Sequence, residues 1–233
     1  AFGNVSSMPN GTSMFVVAPL DGSDTTAYTV PEFFFIHTVN TFVDAKSGEI
    51  VIDLTTAKSN PLVGSGVDID AIRNKTQLNE QDHMVVKRFR LDPSDGSSTV
   101  ETISDPAMST DFIKPNPRVN GLEYCYYWAD VWDYVEGIWG SMAVVKQDLC
   151  SGDVEQGRTF WHRAGWFPSE PTMVPSDTEG AEEDEGDVLF TALEGATGIT
   201  YLVVVDAVTM ESKLEMPLDG HIPFTTHGQF YSW

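Results

Sequence analysis

An all-β fold is predicted by three features of this 233-residue chain. Short runs rich in β-branched and aromatic residues recur along it, and clusters of Gly, Pro, Asn and Asp bound them. Turns opened by an aspartate join these runs at intervals of about fifty residues, a period at which units of several strands read as propeller blades. Hydrophobic residues at 41% and charged residues at 21% suit a chain with a sizeable core, and the length suits a single domain over 1–233.

Taken in order, strands are expected at 12–17, 49–54, 84–91, 123–128, 142–149, 187–193 and 200–206. In the third, Val85, Phe89 and Leu91 share one face and Arg88 and Arg90 the other, with Lys87 among the apolar set. The unbroken apolar run from Tyr201 to Val205 predicts a strand buried on both faces. Asp44, Asp92, Asp148 and Asp206 open the recurring turns, at separations of 48, 56 and 58 residues. Each can cap its turn through the side chain, and Gly48, Gly96 and Gly152 supply positive φ in three of them. Helix is sparse, the best candidate being 69–75, capped by Asp68 or Asp70. The stretches 61–82 and 127–140 read as insertions, the second holding three tryptophans, and such loops commonly carry binding surfaces.

Thirteen basic residues against 35 acidic ones give a net charge of −22, which repels phosphate backbones and anionic lipid and excludes nucleic acid as a partner. The acidic cluster 179–187 reads as a solvated loop, since it lacks the spaced ligands of a calcium loop. No apolar run is long enough for a bilayer-spanning helix. Two cysteines, Cys125 and Cys150, do not make a disulfide framework, so a reduced setting such as cytoplasm or plastid is expected, with Cys125 a buried structural thiol. Sequons at Asn4, Asn10 and Asn74 weigh little against that. The chain opens at Ala1 with no signal segment, as expected of a processed protein or of part of a longer one.

Four residues carry the candidate chemistry. His37 ends a run that begins Phe33-Phe34-Phe35-Ile36, and His227 precedes Gly228, which lets the backbone come close. A buried imidazole needs its nitrogens satisfied, by hydrogen bonds or by a metal. Metal-bound imidazoles usually give their other N–H to a carboxylate, and Asp111 and Glu170 are typed for that work. The plainer alternatives are two core histidines, a turn cap at Asp111 and a surface acid at Glu170. His83, His162 and His221 read as surface or structural residues, with Phe160-Trp161-His162 alternatively lining a cavity.

The segments around these residues resemble the signature blocks of the carotenoid cleavage oxygenase family. Phe35-Ile36-His37-Thr38-Val39-Asn40-Thr41-Phe42 is similar to its Phe-His-His-x-x-Asn-x-Tyr block. Asp111-Phe112-Ile113-Lys114-Pro115-Asn116-Pro117, followed by Gly121-Leu122-Glu123-Tyr124, resembles Glu-Phe-Pro-x-Ile-Asn-Pro and the tyrosine-rich strand after it. Phe167-Pro168-Ser169-Glu170-Pro171-Thr172-Met173-Val174-Pro175 is similar to Tyr-Pro-Ser-Glu-Pro-x-Phe-Val-Pro, and Glu182 to Gly186 falls where the family carries an acidic loop. Ile222-Pro223 through His227-Gly228-Gln229-Phe230 resembles the C-terminal iron motif. All five blocks stand in the family's order from about Thr12 onward.

The resemblance implies a seven-bladed β-propeller with Fe2+ on its axis, held by four histidines and oriented by three acids behind them. By that carry-over His37 and His227 are iron ligands, Asp111 and Glu170 orient them, and no protein side chain beyond the metal site is catalytic. The implied partners are O2 and an apolar polyene, cleaved at a double bond into two carbonyl products. Isomerisation and ester hydrolysis of a retinoid use the same metal shell. Any membrane contact would lie in the family's variable insertions.

The sequence departs from the pattern at Ile36, at Asp111, where glutamate is common, and at Phe42-Val43, where the family has Tyr-Glu. No segment matches the blocks bearing the family's first two iron histidines. The expectation is therefore about four blades and two of four ligands, the C-terminal portion of such an enzyme. Isolated, it should be a poor catalyst. The alternative is a truncated, non-catalytic relative that binds an isoprenoid or a protein partner.

Overall fold

The computed structural model describes residues 11–58, 60, 83–135, 138–220 and 222–231. Among them, β1 (Thr12–Val17) and β2 (Thr26–Pro31) form a two-stranded antiparallel sheet. A four-stranded meander follows: β3 (Phe34–Val43), β4 (Ile50–Ala57), β5 (Val85–Leu91) and β6 (Ser98–Thr102). β7 (Thr110–Pro115), β8 (Tyr126–Val131), β9 (Ala143–Asp148) and β10 (Arg158–His162) make the next. In the last, β11 (Trp166–Pro168) and β12 (Thr172–Pro175) both pair with β13 (Gly186–Glu194), and β14 (Ile199–Asp206) and β15 (Ser212–Pro217) complete it. The all-β expectation holds. The four expected blades are three full sheets and one pair of strands among the described residues.

Apolar layers fill the spaces between successive sheets. Phe15 and Phe33 pack on Phe89, joining β1 to β5. Val39, Val86, Ile113, Tyr127 and Val145 form the next layer, and Trp128, Val144, Met173, Val188 and Val203 the one after. Each blade runs in sequence order from its first strand outward, and the first strands meet: β3 lies against β7, and β7 against β12. That convergence puts three segments side by side at one place.

Polar clamps join the blades. Arg88 grips the buried Asp53 through Nε at 3.0 Å and Nη2 at 2.8 Å, and the Tyr124 hydroxyl donates to the same carboxylate at 2.7 Å. The Asn40 amide donates to the carbonyls of Val119 and Leu122 and accepts from the Gly121 amide, so it fixes the loop after β7.

Several expectations are corrected. Residues 127–131 are not an insertion but most of β8, with Trp128 and Tyr127 buried. The aspartate turns are not all equivalent. That at Asp44 joins β3 to β4, whereas those at Asp92, Asp148 and Asp206 join the two outermost strands of successive blades. Only the last two spacings therefore measure a blade. In the fourth turn Met210 takes φ 61° where glycine stands at Gly48 and Gly96.

The acidic stretch is anchored rather than free. The Glu183 carboxylate accepts the amides of Cys125 and Tyr126, and Asp184 pairs with Lys146. Cys125 is not a free thiol: it forms a disulfide with Cys150 across a sequence separation of 25, so the cysteines do not support the reduced setting expected from them. The register explains it, because Tyr126 lies opposite Asp148 and the residues just beyond are brought together. The helix expected at 69–75 lies outside the described residues.

Candidate metal centre

His37 sits on β3, and its Nδ1 lies 2.9 Å from Asp111 Oδ1 on β7. With the proton on Nδ1, the ring donates to Asp111 and turns Nε2 outward. The hydrogen bond to Asp111 raises the imidazole's pKa, against the opposing pull of burial. His227 lies in the C-terminal segment, its ring centre 5.3 Å from that of His37 and nearly perpendicular to it. Its Nδ1 is 3.5 Å from Glu170 Oε1. Glu170 in turn accepts the Gly228 amide on Oε2 at 2.9 Å and pairs through Oε1 with Lys114 at 3.0 Å. Burial pushes the Glu170 carboxyl up, but the bonds from Lys114 and Gly228 outweigh it and hold the group below its usual range. The four residues singled out from sequence are thus brought together.

Backbone irregularity gathers at the same place. On β3, Phe35 faces Thr56 and Thr38 faces Leu54, so His37 sits where one extra residue bulges the strand. On β7, Asp111 faces Asp130 and Lys114 faces Trp128, again one residue in excess. Between β11 and β12, Pro168 faces Ala192 and Thr172 faces Leu189, and Glu170 lies in that gap. Phe112 at φ 54° and His227 at φ 63° hold left-handed backbone, a strain of about 1–3 kcal/mol each that the surroundings must offset. Such distortion aims side chains that a regular strand would point elsewhere.

An aromatic wall borders the imidazoles. Phe112 lies 5.1 Å from His37, 6.1 Å from Trp132 and 5.8 Å from Phe224, measured between ring centres. Trp132 stacks on Trp139 at 5.5 Å. On the other side of Lys114 a groove of roughly 390 Å³ is lined by Thr172, Val174, Gln229 and Phe230. Asp130, fully buried and without a hydrogen-bond partner among the described residues, has its carboxyl pushed well up by burial and by the charges of Asp111 and Glu170.

The donor set fits half of an imidazole-bound metal centre. The two rings lie 5.3 Å apart between centres, and each turns Nδ1 to a carboxylate, which leaves Nε2 as the nitrogen an ion would use. No third His, Cys, Asp or Glu joins them among the described residues. His83 pairs with Asp133 instead, and His162 packs on Tyr134 at 4.3 Å, in keeping with structural roles. His221 lies outside the described residues. Trp132 lies in the stretch 127–140 expected to carry a binding surface, whereas Lys114, Phe112 and Phe224 gave no such signal in the sequence. Lys114 stands inside the Asp111–Pro117 block, but strand alternation would turn it away from Asp111, and the bulge left no sign in composition.

A profile of the retinal pigment epithelial membrane protein family matches residues 3–232. The chain belongs to that family. Within it, the chain is 26% identical over 232 residues to carotenoid cleavage dioxygenase 8 homolog A, chloroplastic, of Oryza sativa, covering 94% of this chain and 39% of the relative. It is 26% identical over 207 residues to the zeaxanthin 7,8(7',8')-cleavage dioxygenase, chromoplastic, of Crocus sativus, covering 87% and 52%. Among solved structures, a mutant of Synechocystis ACO superposes with a TM-score of 0.80 at 24% identity, over 97% of this chain and 45% of that one. Cobalt-substituted Synechocystis ACO gives 0.77 at 24%, over 91% and 42%. These structures share the fold, and the chain spans about two-fifths of the first relative's length (39%).

Proposed function

We propose that this chain supplies half of a ferrous centre, and the aromatic wall beside it, in an oxygenase that cleaves a conjugated double bond. Its substrates would be O2 and a carotenoid or apocarotenoid, and its products two carbonyl compounds. The observation that carries the reading is the convergence of His37 and His227, each with Nδ1 facing a carboxylate. Relatives named as carotenoid dioxygenases, and a cobalt-substituted solved neighbour, support it.

Ferrous iron, when bound, would supply the open coordination positions and the electrons that activation of O2 requires. His37 and His227 would hold it through Nε2. Asp111 would hold the His37 proton on Nδ1 and so leave Nε2 free for the ion. The two carboxylates also offset a dication that neutral imidazoles leave uncompensated. Phe112, Trp132 and Phe224 would offer ring faces to an extended apolar chain. Two imidazoles leave the centre incomplete, so the rest of the set must come from outside the described residues.

A plastid setting accords with the chloroplastic relatives. No helix among the described residues is long and apolar enough to cross a membrane. The second reading, a non-catalytic isoprenoid binder, is favoured by the pair of imidazoles where a full shell has four. Iron content and O2 uptake with an apocarotenal decide between them. In protein that carries the rest of the ligand set, the oxygenase reading expects stoichiometric iron and aldehyde product, both lost in His37→Ala and His227→Ala. Tight apocarotenal binding without iron or O2 uptake favours the binder.

A further inference from the structure

We propose that Lys114 is a positioning residue for His227, carried to that task by the bulge in β7. This rests on the reading that the two imidazoles share a metal. Asp111 and Lys114 are three residues apart, and in a regular strand an odd separation points side chains to opposite faces. The extra residue between the pairs Asp111–Asp130 and Lys114–Trp128 cancels that opposition. Both side chains then serve the same centre, Asp111 behind His37 and Lys114 on Glu170. Phe112, at φ 54°, is the backbone distortion that allows it, and its ring packs beside both imidazoles, 5.1 Å from His37 and 6.1 Å from His227 between centres.

Glu170 needs this help. Its side chain is only 4% exposed, and its two oxygens are held from opposite sides. The Gly228 amide, next in sequence to His227, takes Oε2 at 2.9 Å. Lys114 takes Oε1 at 3.0 Å, the oxygen that faces His227 at 3.5 Å. The His227 side chain is 63% exposed, so few other groups fix its ring. One strand thereby sets the orientation of both imidazoles, directly through Asp111 and at one remove through Lys114.

The test uses the full chain, metal-free, with histidine-ring 15N–1H correlation spectra that report each tautomer. Lys114→Met removes the ammonium and keeps the stem, and Lys114→Arg keeps the charge. In Lys114→Met the His227 signals should shift toward those of a ring averaging its tautomers, while His37 stays put. Lys114→Arg should restore them. Zn2+ titrated into the same samples should bind roughly 10-fold more weakly to Lys114→Met, the low end for losing a group behind a metal-bound imidazole. With Glu170→Gln already in place, Lys114→Met should add nothing.

Unchanged His227 signals in a folded Lys114→Met protein overturn the proposal. So does a loss of equal size in the Glu170→Gln background. If the methionine variant does not fold, Lys114→Gln gives the same comparison. His227 signals that move while no protein, unmodified chain included, takes up Zn2+ would uphold the positioning role and sink the metal reading instead.

Discussion

At the residue scale, the carboxylates behind the two imidazoles are not equivalent. Asp111 bonds His37 directly at 2.9 Å, whereas Glu170 stands 3.5 Å from His227 and is itself steadied by Lys114 and Gly228. Asp111→Asn keeps the shape but weakens the acceptor, and metal affinity should fall about 10- to 100-fold with little change in melting temperature. A titration of the folded variant that matches the unmodified chain would refute this. Asp130 makes a separate prediction. Its carboxyl is raised above the ordinary value by burial and by Asp111 and Glu170, so the folded state keeps a proton that the unfolded chain has released. The stability it contributes is therefore full below the ordinary carboxylate pKa and is lost as pH rises through the raised one. Asp130→Asn should flatten that decline and raise the melting temperature at pH 8 by a few degrees, at about 2–4 °C per kcal/mol for a domain this size. An equal pH slope in the two proteins would contradict it. His37, Asp111, Glu170 and His227 could be singled out through the resemblance of their segments to the family's signature blocks, since taken alone each also suited a core or turn residue. Lys114 and Asp130 were not, since neither a surface-type lysine nor an aspartate in a strand announces what it faces.

At the element scale, the middle strands of each blade were readable, whereas the outermost, β6, β10 and β15, and the innermost were not among those expected. β5, β13 and β14 keep a steady alternation or an unbroken apolar run, and the sequence places them within a residue or two. β3, β7 and the β11–β12 pair carry extra residues at the centre, which destroys the period of two that identifies a strand. The same distortions that hid these strands deliver the site. The disulfide was hidden for another reason: Cys125 and Cys150 meet only once β8 and β9 are paired in register. Closing a loop of about 25 residues is worth about 3–4 kcal/mol in the chain-entropy account. Cys125→Ser with Cys150→Ser should therefore lower the melting temperature by about 10 °C. A melt that is unchanged by the double substitution and by reductant would show that the thiols are not joined.

At the scale of the whole molecule, three full blades and a two-stranded sheet stack through successive apolar layers, and their first strands converge. The blade pattern was legible from the Asp92, Asp148 and Asp206 turns, while the Asp44 turn belonged to a different joint of the fold. β1 pairs only with β2 among the described residues, and it exposes Met14 and Val16. Open apolar edges favour association. Met14→Lys with Val16→Lys should reduce the concentration-dependent rise in mass seen by light scattering, and an unchanged rise would place the contact elsewhere. The central claim concerns the point where the blades meet, that His37 and His227 bind one ion together. Anaerobic calorimetric titration with ferrous iron tests it most directly, on the unmodified chain and on His37→Ala and His227→Ala. The account predicts one site per chain, abolished by either substitution. Binding that survives both substitutions, or an unmodified chain that takes up no iron, would contradict it.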